Sequence, residues 1–147
     1  MIKKINDTNI RKINPDTIII YKDNSKYTIY YKDVFILYAL LGFSFYRINN
    51  IFEMYIDKRY LNYVLKILNT NHISYMIVDK INQYHIVKKS IFIDTKNYEK
   101  YYLKGRILYK RRKQINKIIV GLRSKNFSKT KLKEIHYLLE GECHELI

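Results

Sequence analysis

Apolar and polar positions along the chain alternate with two different periods, and the switch between them marks the elements. Residues 17–21, Thr-Ile-Ile-Ile-Tyr, are β-branched and apolar and follow the turn-like Asn14-Pro15-Asp16, so they predict a strand. Residues 22–25 predict a turn and residues 27–31 a second strand, together a hairpin. Asp33 stands where a cap belongs, ahead of a helix over 34–41 that Gly42 closes. Alternation returns over 43–47, and 51–56 predicts another strand. Asp57 occupies an N-cap position before Tyr60, Leu61, Val64, Leu65 and Leu68, whose spacings of three and four predict an amphipathic helix. Strands are expected over 74–78, 84–87 and 90–93.

After Asp94 the pattern becomes helical. Tyr101, Leu108, Ile115, Ile119 and Leu122 fall within about 60° of each other at roughly 100° per residue, which predicts one long helix over 98–123. Residues 124–126 are turn-like, and Thr130 is placed to cap a shorter helix carrying Leu132, Ile135, Leu138 and Leu139, closed by Gly141. The predicted class is α/β: a mixed sheet with flanking helices over 1–94, followed over 95–147 by a basic C-terminal helical hairpin.

Charge changes this picture from fold to function. The chain of 147 residues carries 28 Lys+Arg against 13 Asp+Glu, a formal net charge of +15. Such an excess costs self-repulsion that a polyanion relieves. Abundant Ile, Lys, Asn and Tyr is also the signature of an AT-rich genome, so the placement of the charge matters more than its total. That placement is uneven: between Lys100 and Lys133 there are thirteen Lys+Arg and no acid. On the long helix Arg106, Lys110, Lys113 and Lys117 project opposite the apolar stripe, with Arg111 and Arg112 flanking it. A helical face of one sign has no i,i+4 acid partners and suits phosphates spaced along a backbone. Lys104, Arg123 and Lys125 extend the same set. Tyr101, Tyr102 and Tyr109 are candidates for stacking on unpaired bases. No helix-turn-helix, zinc-finger or RNP signature accompanies them, so backbone-directed binding to DNA or RNA is expected.

Candidate chemistry adds little. A single cysteine, Cys143, excludes an intramolecular disulfide and suits a reducing cytoplasm. The N-terminus has no apolar h-region, so no secretory signal is expected. The longest apolar run, residues 34–46, is shorter than the roughly 20 residues that cross a bilayer, and no membrane partner is expected. Cys143 and His144 with His136 supply three possible metal ligands where a closed zinc site needs four. Asp16, Asp23 and Asp33 each have a turn or cap role that accounts for them without a nuclease metal. The expectation is a non-enzyme without cofactor or metal. An adaptor docking on an acidic or polymerase partner is the alternative, and a small nuclease or toxin a more distant one.

One resemblance sharpens this. Residues 16–80 resemble the N-terminal, mismatch-recognition domain of the MutS family in the order and spacing of their elements. Asp16-Thr17-Ile18-Ile19-Ile20-Tyr21 opens the block, and Lys26-Tyr27-Thr28 stands in the family's Phe-Tyr-Glu position. Asp33-Val34 begins the first helix, and Ser74-Tyr75-Met76-Ile77-Val78-Asp79 closes the block. The resemblance implies a nucleic-acid-facing role for Lys26 and Tyr27. Lys26 replaces the family's wedging Phe and Thr28 its Glu, and no GxxxxGK[ST] motif follows, which argues against mismatch repair. Short stand-alone proteins similar to this domain occur beside the reverse transcriptases of diversity-generating retroelements, which implies an accessory role assisting such a polymerase or DNA recombination or repair machinery.

Overall fold

A computed structural model describes residues 9–145, with side chains through 141. Six strands form one sheet in the order β3-β4-β2-β1-β5-β6. They are β1 (Ile18–Asp23), β2 (Lys26–Tyr30), β3 (Tyr46–Ile48), β4 (Ile51–Ile56), β5 (Tyr75–Asp79) and β6 (His85–Ser90). Among the described residues the longer helices beside them are α1 (Lys32–Leu41), α2 (Leu61–Thr70), α3 (Lys96–Arg123) and α4 (Lys129–Glu145), with a further helical stretch at residues 9–13 and a 3-10 turn at Lys58–Tyr60. Only β1 and β5 pair in parallel among the described residues, with Ile18 opposite Tyr75, so the sheet is mixed. The hairpin β1–β2 turns on Asn24 at φ 56, and β3–β4 turns on Asn49 and Asn50 at φ 49 and 63. Two positive φ values in a two-residue loop are the type I′ geometry that matches strand twist, and asparagine tolerates them.

Side-chain alternation sends the two faces of the sheet to different covers. On one face Ile18, Ile20, Ile29, Met54, Ile56 and Ile77 join Val34 and Leu37 of α1, Leu65 and Leu68 of α2, and Tyr98 and Leu108 of α3. The other face, built from Ile19, Tyr21, Met76 and Val78, is covered by Ile10, Tyr30 and Tyr84. Residues 33–38 of α1 are all buried, because the helix lies between the sheet and α3. A helix apolar on nearly every side has no other stable location. The closest approach is at Gly105, where a Cβ would lie 1.9 Å from the Phe35 carbonyl oxygen.

Several expectations are corrected at the element ends. Asp33 does not cap α1: the cap position is Tyr31, which makes no side-chain cap bond. Asp33 is instead fully buried, where it pairs with Arg11 and accepts hydrogen bonds from the Ile19 N–H (2.9 Å) and the Tyr98 hydroxyl (2.6 Å). Burial pushes its carboxyl up, against the downward pull of Arg11, Tyr98 and the Ile19 N–H. Gly42 does close α1, with left-handed backbone at φ 67. The strand expected over 43–47 shrinks to β3, because Phe43 and Phe45 turn toward the core. The strand expected over 84–87 forms as β6, which runs on to Ser90 with a register shift opposite Ile77/Val78, whereas residues 91–93, expected as a further strand, are irregular. Asp57 caps the 3-10 turn Lys58–Tyr60 that leads into α2, accepting from the Arg59 N–H at 2.8 Å, whereas the cap position of α2 itself is Tyr60, which makes no side-chain cap bond. Ser128, not Thr130, receives the Lys131 N–H at the start of α4, and α4 runs through Gly141 to Glu145.

The change of character at residue 94 is not where packing divides. Tyr98 and Leu108 belong to the sheet's core, whereas Ile115 and Ile119 pack with Leu132 of α4 in a separate cluster. The first half of α3 is therefore fixed to the α/β unit, and the second half carries α4. Among the described residues no helix is long and apolar enough to cross a membrane.

Candidate nucleic-acid interface

The apolar stripe of α3 decides where its cations point. Tyr98, Gly105, Leu108, Ile115 and Ile119 are buried, which turns Arg106, Lys110, Lys113 and Lys117 to solvent. Eleven residues separate the first and last of these, or about 16 Å of helix at 1.5 Å per residue. That length spans about five phosphates of one strand at B-form rise. None of the four is ion-paired to an acid among the described residues.

Two tyrosines border this row. The Arg106 guanidinium lies 5.8 Å from the Tyr102 ring centre and donates to its hydroxyl at 3.4 Å, and the Lys113 ammonium lies 5.2 Å from the Tyr109 ring centre. Across from them, at the start of α1, the Lys32 ammonium stands 4.8 Å from the Tyr102 ring centre. Tyr31, Lys32 and Phe35, with Phe52 of β4, close a groove of about 460 Å³ against Arg106, Lys110 and Lys113. On the far side of Tyr109 a smaller hollow of about 250 Å³ is bordered by Arg47, Arg112 and Lys113. Among the described residues no acid lines either hollow. Low-dielectric aromatic walls beside several cations concentrate positive potential in the cleft.

Other sequence candidates lie elsewhere. Arg112 is engaged inward: its guanidinium stands 4.9 Å from the Tyr38 ring centre and its Nε 3.4 Å from Glu140. It ties α1, α3 and α4 together and is not a free phosphate ligand. Arg111 and Lys104 are half-buried, and the Lys104 ammonium lies 5.4 Å from the Tyr101 ring centre. Tyr101 itself is half-buried, with its hydroxyl bonded to Asn71 at 2.9 Å, and does not join Tyr102 and Tyr109. Arg123 lines a separate hollow of about 490 Å³ with Lys129, Lys133 and His136, and Lys125 is exposed beyond the end of α3. Tyr27 is 8% exposed and pairs with Ile56 in the sheet, so its ring serves the core. Lys26 is exposed at the opposite end of β2 from Tyr31, about 16 Å away at 3.3 Å per residue. The side chains of Cys143 and His144 lie outside the described residues. His136 lies 3.7 Å from Glu140.

Sequence reasoning missed Tyr31, Lys32 and Arg47. The available signal was an adjacent Tyr-Lys pair at a helix start, but nothing local says that this start faces a helix some seventy residues later. The fold and site together define a mixed α/β domain that presents a cationic helical face edged by tyrosines. No protein-family model matches the chain, and no curated protein sequence matches it.

Proposed function

We propose that this protein is a non-catalytic accessory protein that binds nucleic acid by its phosphate backbone through the outward face of α3. The observation that supports it is the row Arg106, Lys110, Lys113 and Lys117, exposed along one face of a helix whose other side packs on the core over its first half and on α4 over its second. A solvated face normally carries both signs of charge, and this one carries a single sign. In the same proposal the α/β unit is a MutS-domain-like scaffold in which the wedge-and-pair chemistry is gone, since Lys26 and Thr28 stand at those positions. The second half of α3 and α4 form its basic helical hairpin. The setting we favour is a reducing cytoplasm, beside a reverse transcriptase or another polymerase working on the same strand.

Salt titration of binding to labelled single-stranded and duplex DNA and RNA tests the reading. Four phosphate contacts give a log–log slope of about −2.8 for a single strand and about −3.6 for a duplex. Reversing the four positions to Glu is expected to abolish binding while the circular-dichroism spectrum is retained. Affinity that does not change between low and moderate salt would sink the proposal. Co-purification with a polymerase that survives nuclease treatment checks the protein partner separately.

A further inference from the structure

We propose that the groove between the start of α1 and the outward face of α3 is a stacking site for an unpaired base, so that the protein selects single-stranded over duplex nucleic acid. The inference rests on the phosphate-binding reading above and adds which kind of strand the face takes. Three observations carry it.

The first is the floor. Phe35 meets Phe52, Tyr102 and Tyr109 edge-on, with ring centres 4.9, 6.0 and 5.7 Å apart. These rings interlock, so the groove has a stiff π-rich base rather than a flexible one. Its volume of about 460 Å³ falls in the range of about 300–1,000 Å³ typical of small-molecule sites, which is ample for a nucleobase.

The second is Tyr31. The residue is 58% exposed, its ring tilted against Tyr30 with centres 6.4 Å apart, and its backbone sits at φ 57 and ψ −128, the type II′ turn conformation that favours glycine. The core gains little from an aromatic ring held mostly in solvent. An exposed ring carried on strained backbone, beside a cation-lined groove, is suited to a partner outside the chain.

The third is how the cations rest. Lys32 and Arg106 approach the Tyr102 ring and Lys113 the Tyr109 ring. A phosphate at the groove mouth draws these groups outward onto its oxygens. The uncovered ring then offers its face to a base, so one strand satisfies both the charge and the π surface. A duplex offers its phosphates but keeps its bases within their own stack, and it engages only half of this chemistry. Single-stranded DNA and RNA share what the groove recognises, and the probes distinguish them.

The experiment uses the full chain and fluorescence anisotropy with labelled oligodeoxyuridylate, oligouridylate and a duplex of the same length. Tyr31→Gly removes the ring and relieves the backbone, so the fold is kept. It is expected to weaken single-strand binding about tenfold and to leave duplex binding unchanged. Lys110→Glu is expected to weaken all three probes. A 2-aminopurine placed within the single strand should be quenched by the parent protein and not by Tyr31→Gly. A response with only one of the two single strands supports the site and names the sugar it takes. Equal loss on single strand and duplex, or no loss on either, overturns the stacking site and leaves the phosphate face standing. Absence of binding by the parent protein to any probe at low salt overturns both.

Discussion

Gly105 is the point where α1 and α3 come closest, and replacing it with alanine is the sharpest test of how the cationic helix is seated. The added Cβ would lie 1.9 Å from the Phe35 carbonyl oxygen and 2.6 Å from its carbonyl carbon, where ordinary contact is 3.4–4 Å. Both are backbone atoms, so no rotamer change relieves the clash. The helices must part locally by about 1.5 Å to restore contact. Overpacking of this kind, backbone shifts included, costs about 1–3 kcal/mol. Alanine recovers about 0.5–1 kcal/mol of helix propensity, leaving a net loss of about 1–2 kcal/mol. Gly121 on the same helix supplies the control, since a Cβ there meets nothing within 4 Å. Gly121→Ala should stabilise by the propensity alone, about 0.5–1 kcal/mol. At about 3–4 °C per kcal/mol for a chain of this size, thermal unfolding followed by circular dichroism should show Gly105→Ala falling by about 3–8 °C. Gly121→Ala should rise by about 2–4 °C. A Gly105→Ala protein as stable as its parent would refute the close seating of α3 on α1.

Two further expectations concern the acids. Asp33→Ala leaves the Ile19 N–H and much of Arg11 without their partner in the interior. Breaking a buried pair from one side costs about 3–5 kcal/mol, so the urea midpoint should drop severely, and a near-normal midpoint would show that the pair is dispensable. Asp57 is exposed, and hydrogen bonds from the Arg59 side chain and N–H lower its carboxyl from 3.8 to about 2. A depressed carboxylate pKa gives stability that is full above the unfolded value and is lost as pH falls through the folded one. The Tm gap between the parent and Asp57→Asn should therefore be constant above pH 5 and close as pH falls from about 4 to about 2. A gap that persists at pH 2 would mean the cap does not depend on ionisation.

Most of the framework was legible because it depends on local period. The apolar runs at 17–21, 51–56 and 74–78 and the spacings at 61–68 and 101–122 each became the expected strand or helix. What escaped was set by distant partners. Asp33 carries the local marks of a cap, and only tertiary structure brings it to Arg11, 22 residues before it, and Tyr98, 65 residues after it. Arg112 reads as one more cation in a basic run until Tyr38 and Glu140 engage it. Tyr27 fell in a family motif position, yet the pleat turns its ring inward. On the candidate face, the cations that follow from the helical period were found. The wall contributed by Tyr31 and Lys32 was not, because it comes from the packing of α1 beneath α3.

The network around Asp33 also constrains the order of folding. The carboxylate gathers partners from positions 11, 19 and 98, and β1 pairs with β5 across more than fifty intervening residues. Closing loops of that size costs entropy before any contact repays it, which slows folding relative to an all-helical chain. Until Tyr98 arrives, the inside end of α1 holds an acid lacking one of its three donors. On a ribosome, α1 is complete long before α3 is made, so its apolar outer side must wait uncovered. The element that carries the cationic face is thus also the lid that completes the core, and a nascent chain that stalls before α3 exposes apolar surface for a chaperone to hold.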